Sequence, residues 1–483
     1  MSRFYGDSSG TPTLSREAAP EWWPELEPQA EQGIEHTKVQ APAADELART
    51  LVDHQLDQPD QPDQPDRPGQ PEQPDWRSAR IARDPSASAR TGTLLRAARG
   101  VAEADRRRRF VLFGGWTALW FAIMAVHGGY SWHYFVQGST LLFDGASSGA
   151  PAGGLDLYAN YPQLQIGPFT FVVAEGIRLI GSGSALVVAQ IVMSAAGLVV
   201  LYCVERIVEK VRPELTESSG LRETMLVGGA VFLIGWEDLA VRIGHLDDVL
   251  ALLCATLAVW AVVAELPAIA GLCVGLSVDA KPWALVFLPL VLAVPKPARR
   301  YAAFCTAAVI LVAWLPFLVV DWHTLTATQY GIVNEPSSAL RALGVGSATT
   351  PGWDRIAQIS LGCLLGAVAV RRRRWPAVIL LGVGARIALD PGVYAYYTAG
   401  VLLGALLWDL LGTRRPWPLW TLASAAALAI APMVTSDATL LGELRLGLVI
   451  VFTVALLFAP AQRHTLAPSS HRPQAPRRYS AES

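Results

Sequence analysis

The chain has 483 residues, 52% of them hydrophobic and 17% charged, with 39 basic and 41 acidic side chains and a formal net charge of −2. A soluble protein of this size carries roughly 25% charged residues, and the mean hydropathy here is positive at +0.32, so an ordinary soluble multidomain enzyme is excluded. The balanced charge gives nucleic acid no basic surface, which leaves a polytopic membrane protein with soluble ends.

Residues 1–90 contain no apolar run and no secretory signal is expected there. The repeat Asp57-Gln58-Pro59, Asp60-Gln61-Pro62, Asp63-Gln64-Pro65 places proline at every third position. That removes backbone donors while the acids repel one another, so the expectation is a disordered, acidic, Pro/Gln-rich cytoplasmic tail of polyproline II character. Trp22 and Trp23 offer it a docking point for a cytoplasmic partner. Residues 91–109 differ: Leu94, Leu95, Ala98 and Val101 fall at helical spacing before Arg106, Arg107, Arg108 and Arg109. They predict a basic juxtamembrane helix that anchors topology and meets anionic lipid.

From Phe110 onward the chain is a series of apolar runs, at 110–127, 185–204, 225–243, 249–264, 266–279, 283–295, 301–320, 353–370, 376–389, 393–411, 417–434 and 441–460. A spanning helix needs roughly 20 apolar residues, and several of these runs are shorter. The expected fold is therefore an all-α polytopic bundle of about 12 transmembrane helices over 110–460. One further stretch, 164–180, is broken by Gly167-Pro168, Glu175 and Arg178 and is expected to be re-entrant. The five cysteines lie inside apolar runs without a CxxC pair, so they are expected to be small buried hydrophobes.

Basic clusters recur at 106–109, at Lys296, Arg299 and Arg300, at 371–374, at Arg414 and Arg415, and in the basic tail 461–483. The positive-inside rule places all of them, and both termini, in the cytoplasm of a cell whose plasma membrane the chain crosses. An alternative parity puts 204–222 outside. In the first assignment the outer helix ends and loops collect most of the remaining ionisable groups, and a charge at membrane depth invites a functional role.

Three groups stand out on that face. His245, Asp247 and Asp248 open a helix whose dipole favours negative charge. They serve either as N-caps or as contacts to a metal or to sugar hydroxyls, although no HxxxH-type spacing is present. Lys281-Pro282 stands at a break between apolar runs, where the lysine either binds a phosphate or pairs with Asp279. Arg386 and Asp390, at i,i+4, precede Tyr394, Tyr396 and Tyr397, which are either interface-belt residues or stacking surfaces for a sugar ring. The first outer loop adds His133, Asp144, Asp156 and Tyr161-Pro162, and its acids are general-base candidates.

Together these motifs resemble the integral-membrane GT-C glycosyltransferases, in particular glycosyltransferase family 87 and related actinobacterial polyprenyl-phosphate-dependent mannosyltransferases. The resemblance covers roughly 110–411: a first helix, an outer loop ending in Tyr161-Pro162, the polar turn 244–248, and the stretch 270–276 leading to Lys281-Pro282. It implies a GT-C-like bundle acting at the extracytoplasmic face. The implied reaction is inverting transfer of a sugar, mannose first, from a polyprenyl-phosphate donor to a lipid or glycan acceptor. It also implies a base in the first loop and Lys281 as a phosphate contact; no cofactor is fixed, and the role of a divalent cation stays open. Family members carry an acid and then a tyrosine soon after the first helix, whereas this chain has Tyr130-Ser131-Trp132-His133-Tyr134. Either the base is Asp156, Asp144 or His133, with Asp156 preferred for its proximity to Tyr161-Pro162, or transfer activity has been lost. A transporter or flippase of a lipid-linked sugar, using Glu175 and Arg178, and a membrane scaffold recruiting partners through its tail are the competing functions.

Overall fold

The computed structural model describes residues 85–145, 150–213 and 219–458, with side chains described from Glu103 onward except at Gln329. The Asp-Gln-Pro repeat, Trp22, Trp23 and the basic tail 461–483 lie outside the described residues. Among those described, regular structure is helical, and β pairing is confined to one isolated bridge, Val333 with Thr349. Lipid offers the backbone no hydrogen bonds, so each apolar run must satisfy its own amides, and a helix does this within the segment.

The basic juxtamembrane helix and the first span form one continuous helix, α1 (Pro85–Met124). No glycine or proline interrupts 101–113, so nothing breaks it where lipid contact begins. There follow α2 (Trp132–Phe143), α3 (Pro168–Gly181), α4 (Ala185–Val211) and α5 (Ser219–Glu237). A π-helical turn, Asp238–Ile243, then leads into α6 (Leu246–Val263) and α7 (Pro267–Ala280). Beyond the short helix Pro289–Ala293 come α8 (Lys296–Val320), α9 (Asp354–Arg371), α10 (Val378–Leu389), α11 (Tyr397–Leu411), α12 (Leu419–Ala425) and α13 (Ala438–Phe458). Among the described residues, six helical stretches are long and apolar enough to cross a membrane, and the chain is read as a membrane protein on that basis.

Two of the segments below spanning length go to the centre. Every residue of α11 except Thr398 is buried, as is every residue of α10 except Leu389. A helix apolar on all sides needs protein on all sides. Glycine permits that packing: a Cβ at Gly404 would lie 2.6 Å from the Leu380 backbone. By contrast, only Ala302, Thr306 and Phe317 are buried along α8, whose other faces are left for lipid. Of the cysteines, Cys203, Cys254 and Cys273 are buried, while Cys305 and Cys363 are half-buried.

The helices share two ends. At one, Arg106 pairs with Glu209 and Arg109 with Glu205. There Arg212 donates to Leu410 O at 2.8 Å, and Arg372 and Arg374 donate to Leu457 O and Leu456 O. Residues 204–213 thus join the arginine clusters, as the first parity requires. At the other end, Gly129 N and Ser131 N donate to Arg242 O and Ile243 O, and Gln190 donates to Val241 O. Both α1 and α4 therefore meet this end, and α2 and α3 between them return to it. The stretch expected to be re-entrant is not a broken hairpin. Gly167 is extended and Pro168 starts α3, because a proline at the first helical position loses no intrahelical bond.

Candidate functional site

The π turn before α6 sets the site's first wall. It ends at Gly244, whose φ of +72° is the left-handed region, and a Cβ there would lie 2.9 Å from Gly129 Cα. Gly244 N and His245 N both donate to Leu239 O at 3.1 Å. His245 is the residue before α6 and caps it with no side-chain bond, so Asp247 and Asp248 stand in the first turn rather than acting as caps. Both carboxylates are buried, Asp247 completely.

What compensates them is Lys281. α7 ends there in extended backbone, and Pro282 begins the next turn. The ammonium lies 2.5 Å from Asp247 Oδ2 and 3.0 Å from Asp248 Oδ2. His245 Nδ1 is 2.9 Å from Asp247 Oδ1, and the Trp283 indole donates to Asp248 Oδ1 at 3.1 Å. The alternative Lys281–Asp279 pair is absent among the described contacts, since the lysine turns to α6. His245, Asp247 and Asp248 hold ligand atoms within 4.8 Å of one another, a spacing suited to a metal ion. A metal there would have to displace the lysine. Two carboxylates against one ammonium favour hydroxyl donors over an added anion here.

The second wall comes from α10 and α11. Arg386 Nη2 lies 2.9 Å from Asp390 Oδ2, and its Nε donates to the Tyr397 hydroxyl at 2.9 Å. Tyr397 donates onward to Asp390 Oδ2 at 3.0 Å. Arg386 Nη1 donates to Gln358 Oε1 at 2.6 Å, and Gln358 Nε2 reaches Asp354 Oδ2 at 2.5 Å. The i,i+4 pair is thus one edge of a network spanning three helices, and the planar guanidinium is used as a fork.

Aromatic rings join the walls. The Tyr396 ring lies 4.2 Å from that of His245, centroid to centroid, and Lys281 Nζ sits 5.3 Å from the Tyr396 ring. Tyr394 stacks on Tyr396 with 15° between planes at 4.9 Å, so the tyrosines form one cluster beside His245 and Lys281. Burial, then Asp390, pushes the Tyr394 hydroxyl up to about 12, which keeps it a neutral donor and acceptor. The loop after α8 closes the rim: Glu335 N donates to Pro391 O at 2.8 Å, and buried Asn334 donates to Val345 O and Ser347 O.

His245, Asp247, Asp248, Lys281, Arg386, Asp390, Tyr394 and Tyr397 therefore converge. The first-loop candidates make no hydrogen bond or ion pair with this cluster among the described residues. His133 is exposed, with Nδ1 2.7 Å from Tyr130 O. Asp144 is exposed and lies 3.1 Å from Arg178, which also binds Glu175. Tyr161 donates to Pro151 O at 2.9 Å and braces its own loop. Asp156 ends the turn Gly154–Asp156, half-buried, with no ion pair among the described residues. Trp283 and Gln358 were not singled out in the sequence. The first follows Lys281-Pro282 directly, and the second stands four residues after Asp354 on α9, the only signals that point to them.

No family model matches the chain, and neither a curated protein nor a solved structure matches it.

Proposed function

We propose that the chain is a membrane glycosyltransferase that moves a sugar, mannose first, from a polyprenyl-phosphate donor to a lipid or glycan acceptor. The plasma membrane, with this site on its extracytoplasmic face and the arginine clusters in the cytoplasm, is part of the same proposal. One observation carries it: a carboxylate pair and stacked tyrosines face each other at one end of a membrane bundle. Carboxylates accept from sugar hydroxyls, and aromatic faces cover the apolar face of a pyranose.

Asp156 serves as base, being the first-loop acid without an ion pair among the described residues. It takes the acceptor hydroxyl's proton as the acceptor oxygen bonds to the sugar's anomeric carbon. The bond from that carbon to the phosphate oxygen breaks, and the lipid phosphate leaves with the electron pair. Lys281 is enclosed by acids, so the resemblance's phosphate role passes to Arg355. Arg355 donates to Gln165 Oε1 at a long 3.4 Å and makes no ion pair among the described residues. Glu175 and Arg178, which a transporter would use, bond each other at 2.7 Å.

The test is transfer of radiolabelled mannose from polyprenyl-phosphate mannose in membranes holding the full chain. Asp156→Asn is expected to lower transfer by about a hundredfold, the scale of general-base loss, and Asp248→Asn to lower it by weakening sugar binding. Arg355→Gln should raise the donor KM. Unchanged transfer in both Asp variants removes the site assignment. Flux of a lipid-linked sugar through proteoliposomes with no product replaces it with the transporter.

A further inference from the structure

Away from the convergent residues, one buried cation has no acid. Arg445 stands on the buried face of α13, in line with Leu441, Val449 and Phe452, and is 9% exposed. Its Nη1 donates to Ser337 O at 2.5 Å, and it makes no ion pair among the described residues. Its Nε and Nη2 have no hydrogen-bond partner there either, yet neither atom is fully enclosed, so a ligand can reach the fork. Burying a guanidinium against one neutral acceptor is costly. The other buried cations among the described residues are better served: Lys281 has Asp247 and Asp248, Arg386 has Asp390, and Arg212 has two carbonyls beside the negative end of α11.

The surroundings add positive charge. Half-buried Arg341 donates from Nε to Asn334 O at 3.3 Å, on the turn whose Ser337 carbonyl Arg445 uses, and it too makes no ion pair among the described residues. Gly442 lets that turn lie on α13, since a Cβ there would be 2.7 Å from Ser338 O. α13 also presents the positive end of its dipole here. The nearby acids are occupied or turned away. Asp437 accepts from Thr439 N and Leu440 N, Glu443 is on the opposite side of the helix from Arg445, and Glu335 is exposed. Arg445 lies about 10 Å along α13 from Ala438. Helical side chains lean toward the N-terminus, so its fork rises toward the headgroup layer. Beside it Leu440 and Leu444 are 43% and 38% exposed, which leaves apolar surface for acyl chains.

We infer that Arg445 and Arg341 bind the phosphate of an anionic phospholipid at the end of the bundle that holds the carboxylates and tyrosines, with its acyl chains along Leu440 and Leu444. A phosphodiester offers the paired charged oxygens that a guanidinium fork matches, and its negative charge supplies what the Ser337 carbonyl does not. A zwitterionic headgroup carries its own cation and would set it beside these arginines, and a neutral lipid brings no anion. A soluble phosphate has no acyl chains to bury against the leucines. The site is independent of sugar transfer: it shares with the sugar site only the loop after α8 and uses none of the residues at 156, 245–248, 281, 355 or 386–397.

Native mass spectrometry of the delipidated full-length protein reads the first lipid bound, with phosphatidylglycerol, phosphatidylcholine and diacylglycerol of the same acyl chains as probes. Phosphatidylglycerol is expected to bind about tenfold more tightly than phosphatidylcholine, the scale of one hydrogen bond between charged groups, and diacylglycerol more weakly still. Arg445→Gln should erase that preference, Arg341→Gln should reduce it by less, and Arg445→Lys, which keeps the charge, should retain part of it. Arg108→Gln, exposed in the cluster at the other end, should leave it unchanged. Phosphatidylglycerol should also raise the melting temperature of the unmodified chain and not that of Arg445→Gln. Equal binding of phosphatidylglycerol and phosphatidylcholine to the unmodified chain overturns the inference without any variant. So does a preference that survives Arg445→Gln or is lost in Arg108→Gln. Inorganic phosphate that displaces phosphatidylglycerol at equal concentration overturns the lipid as the source of the anion. Transfer activity is not read in this experiment, so its failure leaves the glycosyltransferase proposal standing.

Discussion

The two ends of the bundle both concentrate charge, yet they partner it differently. At the arginine end, Arg212, Arg299, Arg372 and Arg374 donate to carbonyls at or near helix C-termini, where the dipole is negative and water is near. Each such contact ends on a main-chain carbonyl and commits no second charged side chain. At the acid–tyrosine end, Asp247, Asp248, Lys281, Arg386 and Asp390 are buried and linked to side chains of other helices. Charges held out of water depend on each other, so losing one strands its partners. The first end anchors a helix bundle; the second has the preorganisation that a binding site needs.

That contrast can be broken by substitution. The largest effect is expected from Lys281→Met, which leaves two buried carboxylates without a counter-charge and should cost about 3–5 kcal/mol. Thermal unfolding in detergent measures it, and adding Asp247→Asn should recover part of the loss; an additive double variant would show that the pair is not coupled. Next comes Arg386→Lys, which keeps the charge but loses the fork to Gln358 and Tyr397, at about 1.5–3 kcal/mol. An unchanged melting temperature would mean that the three-helix network is not intact.

Tyr396→Ala should raise the donor KM about three- to tenfold with kcat retained, since ring stacking contributes about 0.5–1.5 kcal/mol. Tyr396→Phe should restore it, and failure of that rescue would assign the residue to hydrogen bonding. At the arginine end, Arg372→Gln should cost about 0.5–1.5 kcal/mol and leave transfer within twofold. Smallest is Asp144→Asn, whose exposed pair with Arg178 is screened by solvent, so the melting temperature and transfer should stay unchanged. A large loss of transfer in that variant would move the base from Asp156 to Asp144.

Much of the site was legible because ionisable residues in an apolar sequence are conspicuous. His245, Asp247, Asp248, Lys281, Arg386 and Asp390 stood out individually on that ground. Their pairing was not legible. Lys281 is two residues from Asp279 in sequence, but it binds Asp247 and Asp248 more than 30 residues away, because the chain turns at Pro282 and α7 packs on α6. Trp283 and Gln358 carry no charge and looked like any core or helix-face residue. Tyr161-Pro162 looked like a site motif, but Tyr161 hydrogen-bonds within its own loop.

Composition and periodicity determined by themselves that this is a helical membrane protein with basic groups gathered apart from the acids and tyrosines. A backbone in lipid has one local solution, and the residues beside it record which solution is used. Only the tertiary structure decided which short helices lie at the centre, that α3 begins rather than breaks at Pro168, and that Lys281 pairs with Asp247 and Asp248 instead of Asp279. Those outcomes depend on which surfaces meet, and contacts between residues far apart in the chain leave no local trace in its pattern.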